Sequence, residues 1–434
     1  MNTNNESADT ARRRIALVVA VAVVIVLLLA LWRVVTAVDE GGEQQASASS
    51  TTSQTSGKQD EDEKKKDASS SPTTPDKVES PAPKETPVDE IGKEAKPAKS
   101  DLIQVQRISG ELSPKSVVAS DRGQVFAQNM MYTHTMSVFT AAGALQKTIS
   151  DTVELADFGI KGHPGQSQGA PVEMAFSPDG DTAWVSNYSM YGQNFLPEGA
   201  DACAGPQGIS NSYLYKIDTK SLQIEDAIEV GAVPKYVAAT PDGKQVLVTN
   251  WCSMDLSVVD VEKGKTVKTI PLGGDNPRGI EVTDDSKTAY VALMGSDHTV
   301  KVDLASGDVT DFVSTGDGPR HLVLSPDGKH LYITNNGANT ISKVDAKSGE
   351  VVDTASVGNR PRSMTISPDG AAVYAVNYDD STMSKILTDD MEVVQTVQTD
   401  AHPIGITYEP TKKRVWVACY GGTILVFDDA HEKK

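Results

Sequence analysis

The chain has 434 residues, of which 38% are apolar and only 5% aromatic, a content low enough that part of the chain lies outside any packed core. Its formal net charge of −19 argues against free nucleic acid as a partner, because that affinity rests on Lys and Arg neutralising phosphates. Three cysteines (Cys203, Cys252 and Cys419) leave one thiol over if two of them pair.

Arg12, Arg13 and Arg14 precede an apolar run from Ile15 to Trp32, extended past Arg33 by Val34 to Val38. A helix needs roughly 20 residues to cross the hydrocarbon core, and Arg33 can snorkel to the interface. The run predicts a signal-anchor helix over 15–37, with residues 1–14 as a cytoplasmic tail held inside by the Arg cluster. A cleaved signal peptide is the alternative, since Val35-Thr36-Ala37 suits a small-residue cleavage site, but the run exceeds the usual signal-peptide core. Either reading puts the remainder outside the cytoplasm. Residues 38–100 are dominated by Ser, Thr, Pro, Lys and Glu and predict a disordered linker, too poor in apolar surface to offset its ordering entropy.

From there the sequence repeats. A proline stands six residues before a turn at Pro114/Ser120, Pro171/Ser177, Pro234/Thr240, Pro277/Thr283, Pro319/Ser325, Pro361/Ser367 and Pro403/Glu409. The last four prolines, at 277, 319, 361 and 403, are 42 residues apart, a period that signals a solenoid or a propeller. The unit after Pro319 reads as four short strands: Leu322–Leu324, then the Ser325-Pro326-Asp327-Gly328 turn, Leu331–Asn335, Thr340–Asp345 and Val351–Val357. Four strands per unit, seven times, predicts an all-β, seven-bladed β-propeller over residues 101–430. The seventh unit has three strands, to Phe427, while Leu102–Ile108 stands unassigned before the first; we expect that N-terminal strand to complete the last blade and remove a free edge.

Leu331-Tyr332-Ile333-Thr334-Asn335 and Val246-Leu247-Val248-Thr249-Asn250, with Ser-Pro-Asp-Gly before the first and Asn-Thr-Ile-Ser-Lys-Val-Asp after it, resemble the repeat of the YVTN-repeat, YncE-like, β-propeller family. The resemblance covers roughly 101–430 and implies the fold. For function it implies only a range, including surface-layer proteins, DNA-binding periplasmic proteins, lactonases and scaffold subunits of redox enzymes. Asn129, Asn187, Asn250, Asn335 and Asn377 fit the motif and are expected to cap the following turn; Leu293 and Cys419 depart from it.

Function should lie where the repeat breaks. Two insertions, 152–170 and about 189–212, follow a fourth and a second strand, and loops after those strands emerge on one face. At the same face, five of the seven residues after the repeat prolines are basic: Lys115, Lys235, Arg278, Arg320 and Arg362. They predict an anion site ringing the channel mouth, with pairing to local acids such as Glu173, Asp157 or Asp275 as the alternative. His134, His163, His298, His321 and His402 are expected in loops or strand starts of that face, and they lack metal-ligand spacing. No phosphate loop is present, and no metal, cofactor or catalytic residue is assigned. Cys203 and Cys252 fall in corresponding loops of adjacent blades and are predicted to form a disulfide, leaving Cys419 as a buried thiol.

These features predict a membrane-anchored, extracytoplasmic propeller, monomeric, that acts as a binding or scaffolding module of the cell envelope for an envelope protein or an anionic small ligand. A lactonase- or lyase-like enzyme with a channel-mouth site is the alternative. A sensor is a third reading, opposed by a 1–14 tail with no effector domain.

Overall fold

The computed structural model describes residues 100–200, 202–203 and 208–432. The predicted tail (1–14), membrane helix (15–37) and all of the linker before Ser100 lie outside the described residues. Among those described, no helix is long and apolar enough to cross a membrane.

Seven four-stranded antiparallel sheets are present, each beginning at a repeat proline: Pro114–Ala119, Pro171–Phe176, Pro234–Ala239, Pro277–Val282, Pro319–Leu324, Pro361–Ile366 and Pro403–Glu409 are the innermost strands of blades 1 to 7. Each of these strands packs on the next, and that of blade 7 packs on that of blade 1, so the ring closes. Pro suits the first position of an inner strand, where the missing N–H removes no necessary ladder bond.

The burial gradient follows from the stacking. Second strands such as His330–Asn335 lie between neighbouring blades and are buried along nearly their whole length. Outer strands such as Val351–Ser356 face solvent, with Ala355 alone buried. The inner hairpins of blades 2 to 6 share one mechanism. In Ser325-Pro326-Asp327-Gly328, Gly328 takes φ 68°, the Ser325 hydroxyl donates to the Asp327 carboxylate (2.7 Å), and the backbone N–H groups of Lys329 and His330 donate to Asp327 and Ser325.

The motif asparagines do more than cap a turn. Asn335, Asn377, Asn250 and Asn129 are buried, and each reaches the third strand to donate to its first side chain and to a serine two residues on; for Asn335 these are Thr340 and Ser342, both at 3.0 Å. Asn187, before the long insertion, donates instead to the Tyr213 carbonyl (3.2 Å).

Blade 7 closes as expected, and its sheet runs Ser100–Ser109, Thr423–Glu432, Arg414–Cys419, Pro403–Glu409. The closing strand pairs antiparallel, Ile108 opposite Ile424 and Gln104 opposite Phe427. A polar cluster locks its start. Lys385 and Asp429 form a fully buried ion pair at 2.7 Å, and the Ser100 hydroxyl and Tyr374 hydroxyl both donate to Asp429, at 2.8 and 2.5 Å. Lys385 also donates to the Ser100 carbonyl (2.8 Å). Every charge there is hydrogen-bonded, the condition under which a buried pair is tolerated.

Candidate mouth site of the propeller

A recurrent backbone device presents the basic residues. In all seven blades the pairing of the first and second strands is irregular immediately after the proline: Pro114 opposes Asn129 but Ser116 opposes Gln128, and Pro234 opposes Asn250 but Val237 opposes Val248. A bulge re-aims the side chain it contains. In blades 3 to 7 the residue before the proline is left-handed: Val233 (φ 56°), Asn276 (54°), Gly318 (66°), Arg360 (52°) and His402 (56°). Its carbonyl accepts from the residue after the motif position, as between Val233 and Trp251 (3.0 Å), Arg360 and Tyr378 (3.1 Å), and His402 and Tyr420 (3.0 Å). In blades 3 and 6 that bond sets an aromatic ring, Trp251 or Tyr378, beside the bulged cation, Lys235 or Arg362.

The result is a cavity of about 390 Å³ at the channel mouth, into which Lys115, Lys235, Arg278 and Arg362 converge with Tyr378 and Tyr420. Lys235 lies 4.6 Å from the Tyr188 ring centre and 5.4 Å from that of Trp251; Arg278 lies 5.6 Å from Trp251 and Arg362 3.8 Å from Tyr378. Cation–π contacts hold the cations in place while leaving their donors directed elsewhere. His402 stacks on Tyr378 at 4.7 Å.

Arg320 is the exception among the five predicted cations. It is buried, does not line the cavity, and donates to the Arg362 carbonyl, bracing the neighbouring inner strand. Of the acids named as pairing candidates, Glu173 contacts a cation: its carboxylate is 3.5 Å from the Lys115 amine. Burial, opposed in part by Glu173 and reinforced by Arg278, Arg320 and Lys235, holds the Lys115 ammonium well below the usual lysine range.

The two insertions behave differently. The second supplies cavity wall through Glu198 and Gly199, and Tyr188 donates to the Ala200 carbonyl (2.9 Å). Cys203 and Cys252 are disulfide-bonded, Cα atoms 5.5 Å apart, and pack on the buried Met130, Tyr188 and Trp251 cluster whose rings underlie Lys235 and Arg278. Cys419 is a buried free thiol. The first insertion forms a small hairpin, Thr152–Glu154 with Gln166–Gln168, that lies along the outer strands of blades 1 and 2, beside Lys147 and Ile224; it does not line the mouth cavity.

His321 corrects the expected placement of the histidines. It lies inside the channel, buried, lining a second cavity of about 200 Å³ with Glu173, Tyr236, Glu281, Ser116 and Ser363. The Met364 backbone N–H donates to Nδ1 (3.1 Å), so the ring proton sits on Nε2 and is donated to the Tyr236 hydroxyl. Burial and the nearby Arg320, Arg278 and Lys115 push its pKa down to about 3, so the ring is neutral. Burial pushes Glu281 up to about 8, against two backbone hydrogen bonds that favour the carboxylate. The other predicted histidines stay apart: His134 at 3.4 Å from Asp151, His163 against Tyr191, His298 at 3.5 Å from Asp311. Among the described residues no group of three or more His, Cys, Asp or Glu could hold a metal ion.

Fold and rim define an all-β, seven-bladed propeller with a cationic, aromatic-walled mouth. Residues 273–414 match the family model described as YNCE-like beta-propeller. In three dimensions the chain is similar to Kuenenia stuttgartiensis hydrazine synthase, with a TM-score of 0.58 and 19% identity over 75% of this chain and 98% of that one, a likeness of fold. No curated protein matches it in sequence.

Proposed function

We propose that this is a ligand-binding module of the cell envelope: a monomeric propeller, anchored through residues 15–37 and displayed outside the cytoplasm, whose mouth receives a small anionic ligand. The observation that carries the reading is the convergence of Lys115, Lys235, Arg278 and Arg362 on one cavity in a protein of net charge −19. Burying cations costs several kcal/mol each unless counter-charge is near; Lys115, Lys235 and Arg278 are buried, and the Glu173 carboxylate lies 3.5 Å from the Lys115 amine. An anion entering the cavity would gain charge-assisted hydrogen bonds from guanidinium groups already fixed over Trp251 and Tyr378. The cavity volume suits a small molecule or the tip of an acidic side chain better than a broad protein surface. The outer location is supported by the apolar run from Ile15 to Trp32 and by the Cys203–Cys252 disulfide, a bond rare in reducing compartments.

Thermal melting of the full-length protein in increasing citrate or phosphate tests this. A ligand that binds only the folded state raises the midpoint with concentration. We expect a saturating rise that Arg362→Gln abolishes; a rise of equal size in that variant contradicts the reading.

A further inference from the structure

We propose that Lys115 is a covalent site, whose side-chain amine forms an imine with the carbonyl carbon of a small anionic aldehyde or ketone, of the 2-oxo acid class, held in the mouth cavity. The inference rests on the anion reading above and names the ligand class.

Lys115 is 3% exposed, yet its amine meets no hydrogen-bond acceptor among the described residues; the Glu173 carboxylate at 3.5 Å is beyond good hydrogen-bond distance. A buried amine normally finds an acceptor, so one left without is a candidate for a reacting group. It also stands at the junction of the two cavities. Lys115 lines the mouth cavity, and Glu173, 3.5 Å from its amine, lines the channel cavity below. Lys235, Arg278 and Arg362 around the same mouth would hold the carboxylate of the 2-oxo acid and so bring its carbonyl to the amine.

The surroundings supply the reactivity. Attack needs the neutral amine, and lysines are activated by burial beside other cations. Burial, with Arg278, Arg320 and Lys235 adding to it against Glu173, lowers the basicity of Lys115 in that way. Surface lysines are in the opposite condition: Lys220, Lys263 and Lys329 are hydrogen-bonded to Asp181, Asp260 and Asp327, which raise theirs.

The step balances within the site. The Lys115 ammonium passes one proton to Glu173, and the amine lone pair attacks the carbonyl carbon, forming a C–N bond as the C=O π pair moves to oxygen. A second proton moves from nitrogen to that oxygen, giving a carbinolamine. Glu173 returns its proton to the hydroxyl, which departs as water as the nitrogen lone pair forms the C=N bond. The product is a protonated imine plus water, with no oxidant or reductant consumed.

The test is to incubate the full-length protein at neutral pH with pyruvate and cyanoborohydride, which reduces an imine to a stable secondary amine, and to map the modified lysines by mass spectrometry. Lys115 should be labelled about ten-fold or more above any exposed lysine, since each ten-fold fall in basicity gives about ten-fold more free amine. Lactate, an anion of similar shape with no carbonyl, should suppress that labelling, a comparison made on the unaltered protein. Lys115→Arg should leave only background labelling. Labelling spread evenly over exposed lysines, or unaffected by lactate, overturns the proposal. If citrate stabilises the protein and no Lys115 adduct forms, the covalent step is wrong and the anion site stands; if citrate also has no effect, both fall.

Discussion

In blade 5 the corner between the second and third strands is closed by residues 336–339, with Asn335 bonded to Thr340 and Ser342; in blade 2 the same corner opens into residues 188–212. There Asn187 gives up the hydroxyl pair for the Tyr213 carbonyl, and the segment is fastened by Tyr188 to Ala200 and by Cys203 to Cys252. Regular corners spend the asparagine on rigidity. The broken corner replaces it with a crosslink to blade 3 and, in exchange, walls the mouth with Glu198 and Gly199. Stability and ligand contact are thus separable, and substitutions should divide the same way.

The largest stability effect is expected at the closure, within the regular scaffold. Asp429→Ala removes the carboxylate that faces the buried Lys385, at a cost of about 3–5 kcal/mol by denaturant unfolding. Anion affinity of the folded protein should not change, and a shift in affinity would break the separation. Replacing Cys203 and Cys252 by Ser should cost about 2–4 kcal/mol, from the loop-closure entropy of a crosslink spanning 49 residues. Unlike the closure variant, it should also weaken anion binding, because Trp251 loses its support under Arg278. An unaltered affinity would mean the insertion is decoration. The sharpest comparison is Asn335→Ala against Asn187→Ala. The first leaves Thr340, Ser342 and Thr315 short of a buried partner and should cost about 1–3 kcal/mol. The second removes one bond to a carbonyl and should cost less.

The seven-fold plan was legible because it is local: proline, Ser-Pro-Asp-Gly turn and alternating strand recur with fixed spacing. The closing strand and the Cys203–Cys252 pairing followed from that count, since blade order decides which loops are neighbours. What the sequence does not display is where a side chain points after a bulge. The left-handed residue before each proline in blades 3 to 7 is valine, asparagine, glycine, arginine or histidine, which share no chemistry that a reader could search for. Arg320 and Arg362 occupy the same repeat position, yet one braces a carbonyl and the other faces the cavity over Tyr378. His321 is expected at a loop or strand start of the mouth face and does stand near the start of its strand; only the closed ring shows that the second residue after the proline faces the channel.

A pH-dependent effect is expected from Glu281, which belongs to neither region. Its carboxyl, ordinarily near 4.5, is pushed up to about 8 in the channel. Between those values the folded state keeps a proton that the unfolded state has lost, so stability falls as pH rises from about 4.5 to 8 and levels off above. Glu281→Gln should flatten that fall when melting is followed against pH, and an unchanged slope would assign it to other groups.

The central claim, that the mouth cations form an anion site, is tested most directly by calorimetric titration of citrate into the wild-type protein and into Arg278→Gln/Arg362→Gln. Each lost charge-assisted bond is worth about 1.5–3 kcal/mol, so the double variant should bind about a hundred-fold more weakly or worse with its melting midpoint in buffer little changed. Equal affinity in the two proteins would contradict the account.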